Sequence, residues 1–175
     1  TPPSILNEIH EWLAKNLPTE SMIAKAPVRL IHNDFKLDNI ILDPEMLTPT
    51  AVIDWDMGTR ADPRYDLAIL LSYWTEQTDP QVMINLNQMP SHLPDFMTRS
   101  QAIERYFSIT GLSMDGFGFY RILAIYRLAG IFAQLGKRHK DGDHSIAEFA
   151  GFLKLAEDIL IFAKDVIDQE VTKNY

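Results

Sequence analysis

A short polar segment between two apolar runs contains the residue types that could do chemistry in this chain. His32 to Asn39 reads His-Asn-Asp-Phe-Lys-Leu-Asp-Asn, of the form His-x-Asp-x4-Asn, and Asp54 lies fifteen residues after Asn39. A positioned carboxylate can take a proton from a hydroxyl, while another carboxylate and an amide oxygen can hold Mg²⁺. This combination suits phosphoryl transfer, in which the protein mainly positions the acceptor and neutralises phosphate charge.

The elements around this segment should bring these side chains to one place. Residues 40–42 and 51–53 are apolar and predict two strands of a small hairpin, joined by a turn that contains two prolines. Asp34 and Asn39 lie five residues apart on one loop, and Asp54 ends the second strand. We therefore expect the three side chains to face one common site.

The rest of the chain has the apolar spacing of helices, which predicts a mainly α fold with one small β-hairpin. Tyr65 to Trp74 is apolar nearly all round and predicts a buried helix, and Phe117 to Leu135 predicts the central core helix. The sequence contains no repeat and no linker, so residues 1–175 are expected to form a single domain with one core.

Capping patterns predict where two further helices begin or end. One helix is expected to start at a cap formed by Asp95 and to run to Thr110, where Gly111 closes it. Ser145 and Glu148 have the spacing of a capping box and predict the start of the last helix. The histidines and aspartates between residues 139 and 144 are interpreted as an exposed turn rather than a metal cluster.

Composition and charge narrow the classes of function. The formal net charge of −8 at pH 7 argues against a surface that neutralises phosphates, so we expect no nucleic-acid partner. Arg121 and Arg127 interrupt the most apolar stretch, so we expect no membrane span. The absence of cysteine excludes disulfides and thiolate metal sites. We expect a cytoplasmic protein that would bind an anionic ligand through a metal ion.

The order and spacing of the motif residues resemble the catalytic loop and metal-binding strand of the aminoglycoside phosphotransferase and choline kinase superfamily. The loop looks most like that of the kinase-like domains fused to acyl-CoA dehydrogenases, which reads His-Asn-Asp-Phe-(Arg/Lys)-Leu-Asp-Asn. The segment Asp62-Pro63-Arg64-Tyr65-Asp66-Leu67-Ala68 is similar to the family's Asp-Pro-x-x-Asp-Leu-Ala. The motifs that carry this resemblance lie within residues 28–74, and beyond them the resemblance is one of architecture only.

This resemblance implies the C-terminal lobe of a protein-kinase-like fold, α+β in class. The catalytic loop would span residues 28–42, the metal strand residues 51–56 and a helical acceptor subdomain residues 64–171. Within the family, the helices that follow the catalytic strand form the acceptor site.

The resemblance also implies roles for the motif residues. Asp34 would be the catalytic base that faces the acceptor hydroxyl. Asn39 and Asp54 would coordinate Mg²⁺ or Mn²⁺ and so hold the phosphates of ATP, the phosphoryl donor. Lys36 would approach the transferred phosphoryl group and share in catalysis and cofactor binding, although a solvated surface charge explains a lysine there equally well.

Other polar residues of the same region have structural explanations. By resemblance, His32 would brace the loop and Asp66 would be a buried brace that accepts backbone hydrogen bonds. Asp38 and Asp56 are further candidate metal ligands, although capping or solvated roles explain them better. Asp56 is the better candidate of the two, because it lies two residues after Asp54 on the same strand face.

The sequence departs from the family pattern at two points. Asn33 stands where many members have glycine, and asparagine tolerates a left-handed backbone. Neither a Gly-rich loop nor a strand lysine paired to a helical glutamate precedes the catalytic loop, although the family places a nucleotide-binding lobe there. We interpret the chain as a fragment that lacks this N-terminal lobe.

Three hypotheses about function follow. The first is an ATP- and Mg²⁺-dependent phosphotransferase that acts on a hydroxyl of a small molecule, and the acidic balance suits a cationic acceptor such as an aminoalcohol or aminoglycoside. The second is a catalytically silent, pseudokinase-like module that binds or dimerises through apolar surface around residues 28–31 and the hairpin, which loss of the N-terminal lobe would expose. The third is a metal-dependent phosphohydrolase in which water replaces the acceptor.

Overall fold

The protein is mainly helical, as predicted, in a computed structural model that describes residues 3–86, 88–142 and 147–172. The helices are α1 (Pro3–Lys15), α2 (Glu20–Lys25), α3 (Arg64–Tyr73), α4 (Gln81–Leu86), α5 (Arg99–Thr110), α6 (Phe117–Lys140) and α7 (Phe152–Thr172). The strands are β1 (Arg29–Ile31), β2 (Ile40–Leu42), β3 (Pro49–Val52) and β4 (Thr59–Ala61). Short 3₁₀ helices span Leu37–Asn39, Trp55–Met57 and Ala147–Gly151. Within these ranges, no helix is both long enough and apolar enough to cross a membrane.

The hydrophobic core is formed mainly between α6 and α7, and α1 and α3 pack against these long helices. Fully or nearly fully buried side chains on this interface include Ile122, Ile125 and Leu128 of α6 and Ile159 and Ala163 of α7. Burying an aliphatic side chain of this size contributes about 1.5–3 kcal/mol. The predicted central helix is therefore confirmed, although it continues past Leu135 to Lys140.

At Gly136, α6 closely approaches the start of α7. A Cβ atom at this position would lie 2.7 Å from the backbone nitrogen of Leu153. We expect Gly136→Ala to lower the free energy of unfolding by about 1–3 kcal/mol, the usual cost of overpacking.

Gly130 on the same helix provides a matched control, because no atom lies within 4 Å of a Cβ placed there. Gly130→Ala should stabilise the protein by up to about 1 kcal/mol through helix propensity alone. Urea unfolding of the two variants measures the difference. Equal stabilities would contradict the close approach of α6 and α7.

Two small antiparallel sheets frame the polar segment between residues 32 and 39. β2 pairs with β3 in the predicted hairpin, with Ile40 opposite Val52. β1 pairs with β4, with Ile31 opposite Thr59. This second pairing was not predicted, because Thr-Arg-Ala at residues 59–61 shows no apolar alternation. The polar segment leaves β1 and enters β2, so strand pairing holds both of its ends.

The prediction of a metal strand over residues 51–56 is wrong in its second half. β3 ends at Val52, and Asp54 has a left-handed backbone with φ 63° and ψ 54°. The 3₁₀ helix Trp55–Met57 follows, so Asp56 does not lie on a strand face shared with Asp54. Sequence pattern could not show this, because Ile-Asp-Trp-Asp alternates apolar and polar residues as a strand does.

The predicted start of α5 is also wrong. The helix begins at Arg99, after a capping box in which Thr98 Oγ1 accepts a hydrogen bond from the Gln101 nitrogen at 3.2 Å. In return, Gln101 Oε1 accepts one from the Thr98 nitrogen at 2.8 Å. Asp95 has a left-handed backbone with φ 68° and lies outside the helix. The Thr-x-x-Gln spacing is a better capping signal than an isolated aspartate.

The ends of two other elements complete the comparison with the sequence. Gly111 closes α5 in the left-handed conformation, with φ 66°, which confirms that prediction. The predicted capping box of Ser145 and Glu148 lies outside the described residues and side chains. In the turn after α6, Asp141 pairs with Lys137 one helical turn earlier, while residues 143 and 144 are not described.

Candidate active site

Asp66, in the first turn of α3, fixes the start of the polar segment. Its carboxylate accepts hydrogen bonds from the backbone nitrogens of His32 at 2.6 Å and Asn33 at 2.7 Å. Asn33 has a left-handed backbone with φ 66°, which asparagine adopts more readily than most residues. One carboxylate on a rigid helix thus holds two consecutive amides immediately before Asp34.

His32 connects the polar segment to the hairpin. Its side chain is buried, and Nδ1 accepts a hydrogen bond from the Asp34 backbone nitrogen at 3.3 Å. Nε2 therefore carries the proton and donates to the Ile53 carbonyl oxygen at 2.8 Å. The ring also packs on Trp55, with centroids 4.7 Å apart. Both ring nitrogens of His32 are therefore hydrogen-bonded within the protein, and the ring connects Asp34 with Ile53, the residue before Asp54.

Asp34 has its two carboxylate oxygens in different surroundings. The Tyr73 hydroxyl donates a hydrogen bond to Oδ1 at 2.7 Å. Lys36 Nζ lies 3.6 Å from Oδ2, in an ion pair whose two side chains are each 21% exposed. The carboxylate is thus held by protein contacts and still reachable from solvent, as a base for an external hydroxyl must be.

Asn39 is buried and is oriented by its contacts with Asp34. Its amide nitrogen donates to the Asp34 carbonyl oxygen at 2.9 Å and lies 3.5 Å from Asp34 Oδ2. Because the nitrogen faces Asp34, the amide oxygen points away from that carbonyl and is the group that could bind a cation. The Asn39 carbonyl oxygen also accepts from the Ile53 nitrogen at 2.9 Å, so Asn39 adjoins the residue before Asp54.

Asp54 is an exposed carboxylate held in an uncommon backbone conformation. Left-handed φ and ψ cost most non-glycine residues of the order of 1–2 kcal/mol, although aspartate and asparagine adopt them more readily. This turn ends β3 and directs the chain into the 3₁₀ helix that begins at Trp55. Asp54 directly follows Ile53, whose nitrogen donates to the Asn39 carbonyl oxygen.

The donor set of Asn39 and Asp54 suits Mg²⁺ or Mn²⁺ held together with phosphate oxygens. Mg²⁺ commonly takes only one or two protein oxygens and completes its octahedron with water and substrate phosphates. No group of three or more His, Asp or Glu side chains that could hold a metal occurs in the described ranges. Asn39 and Asp54 would therefore hold such a cation as a pair of oxygen ligands, with the other positions left to water and phosphate.

The remaining charged candidates of the motif differ in their contacts. Asp38 is exposed on the 3₁₀ helix that ends at Asn39, and Asp56 is exposed on the one after Asp54. Lys36 contacts Asp34, which favours a role at the site over a free surface charge.

Sequence reasoning missed two residues that contact the catalytic loop from the helical core. Tyr73, at the end of α3, is bonded to Asp34 across 39 residues, and Arg127, on α6, donates from Nη2 to the Asn33 carbonyl oxygen at 3.1 Å across 94 residues. Both had been assigned to apolar helical stretches. A tyrosine or arginine within such a stretch is a weak signal that its polar end has a buried partner.

A second cluster anchors the segment that leads into α3. Asp62 Oδ1 accepts from Arg64 Nε at 3.0 Å, and Asp62 Oδ2 accepts from the Tyr120 hydroxyl at 3.0 Å. Arg64 Nη1 also donates to the carbonyl oxygens of Ser113 and Asp115. Burial alone would raise the pKa of Asp62, but the hydrogen bonds from Arg64 and Tyr120 outweigh it and hold the pKa below the usual 3.8.

Asp62→Asn should therefore show a pH-dependent loss of stability. Because the folded-state pKa of Asp62 is lowered, its ionised form stabilises the protein above the unfolded pKa, and this contribution disappears as pH falls through the folded value. We expect a loss of about 1.5–3 kcal/mol at pH 7 that shrinks below about pH 4. Urea unfolding at several pH values measures it, with the exposed Asp38→Asn as control. A loss that is constant with pH would contradict the ion-pair assignment.

The fold is that of a kinase-like phosphotransferase. The model of the phosphotransferase enzyme family, APH, matches residues 2–99. The chain belongs to this family. The residue roles implied by the motif remain predictions, since family membership does not test them one by one.

Relatives with similar sequences are much longer proteins. Acyl-CoA dehydrogenase family member 11 of Pongo abelii is 31% identical over 164 residues, which cover 92% of this chain and 19% of that protein. Its counterpart in Mus musculus is 33% identical over 146 residues, covering 80% of this chain and 18% of that protein. The chain therefore spans about a fifth of the length of these relatives. The predicted likeness to kinase-like domains of acyl-CoA dehydrogenases is confirmed.

A solved structure shows the same fold. It is the crystal structure of a protein from Ralstonia eutropha JMP134 assigned as an aminoglycoside phosphotransferase, with a TM-score of 0.73 and 24% sequence identity. The match covers 94% of this chain and 50% of that one. This confirms the predicted protein-kinase-like fold class.

Proposed function

We propose that this chain supplies the catalytic and metal-binding half of an ATP- and Mg²⁺-dependent phosphotransferase that acts on a hydroxyl of a small molecule. The observation that carries the proposal is the hydrogen-bonded assembly of the motif. Asn39 bonds Asp34 through its side chain and Ile53 through its backbone, directly beside Asp54. The assembly therefore places a candidate base and two candidate oxygen ligands around one loop and one hairpin.

Each residue of this assembly has a task in the proposed reaction. Asp34 accepts the proton of the acceptor hydroxyl as that oxygen bonds to the γ-phosphorus and ADP leaves. Asn39 and Asp54 hold the divalent cation, which neutralises phosphate charge when bound. Lys36, paired with Asp34, keeps a positive charge near the oxygen that accepts the proton. His32 and Asp66 keep the loop in shape.

The nucleotide needs a second group of residues, which we propose is supplied by a nucleotide-binding lobe. Support comes from the exposed apolar side chains on the strands and the turns that flank the site. Those that are more than half exposed include Leu30 (66%), Met46 (73%), Leu47 (69%) and Met57 (51%). Large apolar side chains exposed on neighbouring elements support a contact with other protein when they form one patch.

The same exposed surface supports a second candidate function, a binding or dimerising module without catalytic activity. Self-association would bury these side chains in the absence of another lobe. Light scattering after gel filtration tests this candidate. Leu30→Glu should convert a dimer to a monomer, whereas a monomeric wild-type chain would contradict self-association.

The acceptor is proposed only as a small hydroxylated molecule. Two acids that follow α3, Glu76 and Asp79, are both paired with the buried Arg99. Both carboxylates are therefore held by contacts within the protein, and the single guanidinium compensates one of their two negative charges. The proposal includes the cytoplasmic location expected from the sequence, because ATP is an intracellular donor.

Calorimetric titration of the chain with ATP tests the metal and nucleotide parts of the proposal. We expect binding in the presence of Mg²⁺ or Mn²⁺ and none in the presence of EDTA, because the candidate ligands contact the phosphates through the cation. A folded chain that binds no ATP with either metal would contradict the proposal that this half-site assembles by itself. Equal binding with and without metal would contradict the metal site.

A further inference from the structure

Tyr73 joins the helical core to the proposed catalytic base. It is the last residue of α3, its side chain is only 4% exposed, and its hydroxyl donates to Asp34 Oδ1 at 2.7 Å. Buried tyrosine hydroxyl groups need a partner, and here the partner is the group proposed to do chemistry. The contact runs from a rigid, buried helix to a loop.

This hydrogen bond makes the two oxygens of Asp34 inequivalent. An aspartate carboxylate rotates easily about χ2, so without a directional contact either oxygen could face an acceptor. With Oδ1 bound to Tyr73, Oδ2 is the oxygen beside Lys36 Nζ, 3.6 Å away. The same lysine nitrogen lies 5.4 Å from the centroid of the Tyr73 ring. Tyr73 therefore contacts both members of the Asp34–Lys36 pair.

The backbone next to Asp34 is also held by a residue of the helical core. Arg127 donates from Nη2 to the Asn33 carbonyl oxygen, which is one peptide bond before Asp34. The electrostatic influence of Arg127 also reaches the Tyr73 hydroxyl. Residues from α3 and α6 thus fix both the main chain and the side chain of the proposed base.

We propose that Tyr73 is a positioning residue for phosphoryl transfer, which holds Asp34 through Oδ1 and leaves Oδ2 to receive the proton of the acceptor. This inference rests on the proposed function. In the step, the acceptor O–H proton moves to Asp34 Oδ2 and the acceptor oxygen bonds to the γ-phosphorus. The bond from that phosphorus to the β–γ bridging oxygen breaks, and ADP departs with the electron pair.

Tyr73 is suited to donate this hydrogen bond at any ordinary pH. Burial raises the pKa of its hydroxyl, and the hydrogen bond to Asp34 raises it further, against a smaller opposing effect of Arg127. The hydroxyl therefore stays protonated and cannot itself serve as the base.

Steady-state kinetics of Tyr73→Phe in the full-length protein test the proposal, with Mg²⁺·ATP as donor and water as the acceptor. The variant keeps the ring and loses only the hydroxyl. We expect kcat to fall about tenfold to a hundredfold, the cost of a misplaced catalytic group. The KM for ATP should stay within about twofold. In an Asp34→Ala background, Tyr73→Phe should cause no further fall in kcat, because the two residues act as one unit.

Tyr106→Phe is the matched control. Tyr106 is also partly buried, but its hydroxyl donates to the Pro63 carbonyl oxygen at 3.0 Å, so removing it should leave kcat unchanged. A normal kcat for Tyr73→Phe, in a protein whose Asp34→Asn variant is inactive, would overturn the role of Tyr73 and leave the proposed function intact. A uniform rise in KM would overturn it as well.

Proton NMR of this chain tests the contact independently of turnover. A slowly exchanging hydroxyl resonance is expected in the wild type and should be missing from both Tyr73→Phe and Asp34→Ala. Its persistence in Asp34→Ala would overturn the proposal. If the wild-type protein hydrolyses no ATP and transfers no phosphoryl group, the proposed function fails, whereas the NMR result still decides whether Tyr73 holds Asp34.

Discussion

Asp34→Asn is expected to abolish most phosphoryl transfer by the full-length protein while leaving its affinity for Mg²⁺·ATP nearly unchanged. Asparagine has the same shape and can still accept the Tyr73 hydrogen bond, but it cannot take a proton from the acceptor hydroxyl. Loss of a general base typically costs a factor of about 10²–10⁴ in turnover. Initial rates of ADP formation with saturating ATP measure this loss.

Asp38→Asn is the control for this substitution, because Asp38 belongs to the same loop but is exposed and makes no contact with Asp34 among the hydrogen bonds and ion pairs described for the chain. It removes one negative charge from the same loop. Equal losses of turnover in the two variants would show that removing a negative charge from the loop, and not removing a base, causes the effect. Unchanged turnover in Asp34→Asn would exclude it as the base.

Asp54→Asn is expected to eliminate metal-dependent nucleotide binding. Asp54 is the only carboxylate in the proposed ligand pair, and asparagine would leave two neutral amide oxygens, with no negative charge, to hold the cation. Even residues that merely orient a metal ligand are worth about 10–100-fold in metal affinity, so loss of the charged ligand should cost at least about a hundredfold. Calorimetric titration with Mn²⁺·ATP measures the affinity.

The backbone of Asp54 determines which replacement is informative. Its left-handed conformation is tolerated by asparagine, so Asp54→Asn changes the ligand without straining the turn. Asp56→Asn, two residues later on the 3₁₀ helix, serves as the control and should bind Mn²⁺·ATP as the wild type does. Equal affinity in wild type and Asp54→Asn would contradict the ligand assignment.

The sequence predicted the parts of this molecule that are encoded locally. The β2–β3 hairpin follows from two apolar runs around a proline-containing turn, and α6 follows from a dense apolar periodicity. Residues 32–39 stood out because their types and spacing serve one reaction. Such features are fixed within a few residues or one helical turn, and a single sequence displays them directly.

Contacts between segments that are distant in the sequence could not be predicted from local patterns. The contacts of Tyr73 with Asp34 and of Arg127 with Asn33 join residues 39 and 94 positions apart. Their polar ends are hidden within apolar helical patterns. The β1–β4 pairing has the same cause, because Thr59–Ala61 becomes a strand only through its partner. Residues 53–56 alternate apolar and polar types as a strand does, but the chain turns at Asp54. The sequence therefore identified Asp54 as a candidate ligand and did not predict its left-handed backbone.

Transfer of the γ-phosphoryl group of ATP to a small hydroxylated molecule can be observed directly by ³¹P NMR. The full-length protein would be incubated with ATP, Mg²⁺ and a panel of hydroxylated acceptors, including aminoalcohols and aminoglycosides. The account predicts a new phosphomonoester resonance that grows as ADP forms, requires Mg²⁺ and is missing with Asp34→Asn. Cleavage of a phosphoester without ATP would identify a phosphohydrolase instead, and an ATP spectrum that stays unchanged with every acceptor would contradict the phosphotransferase.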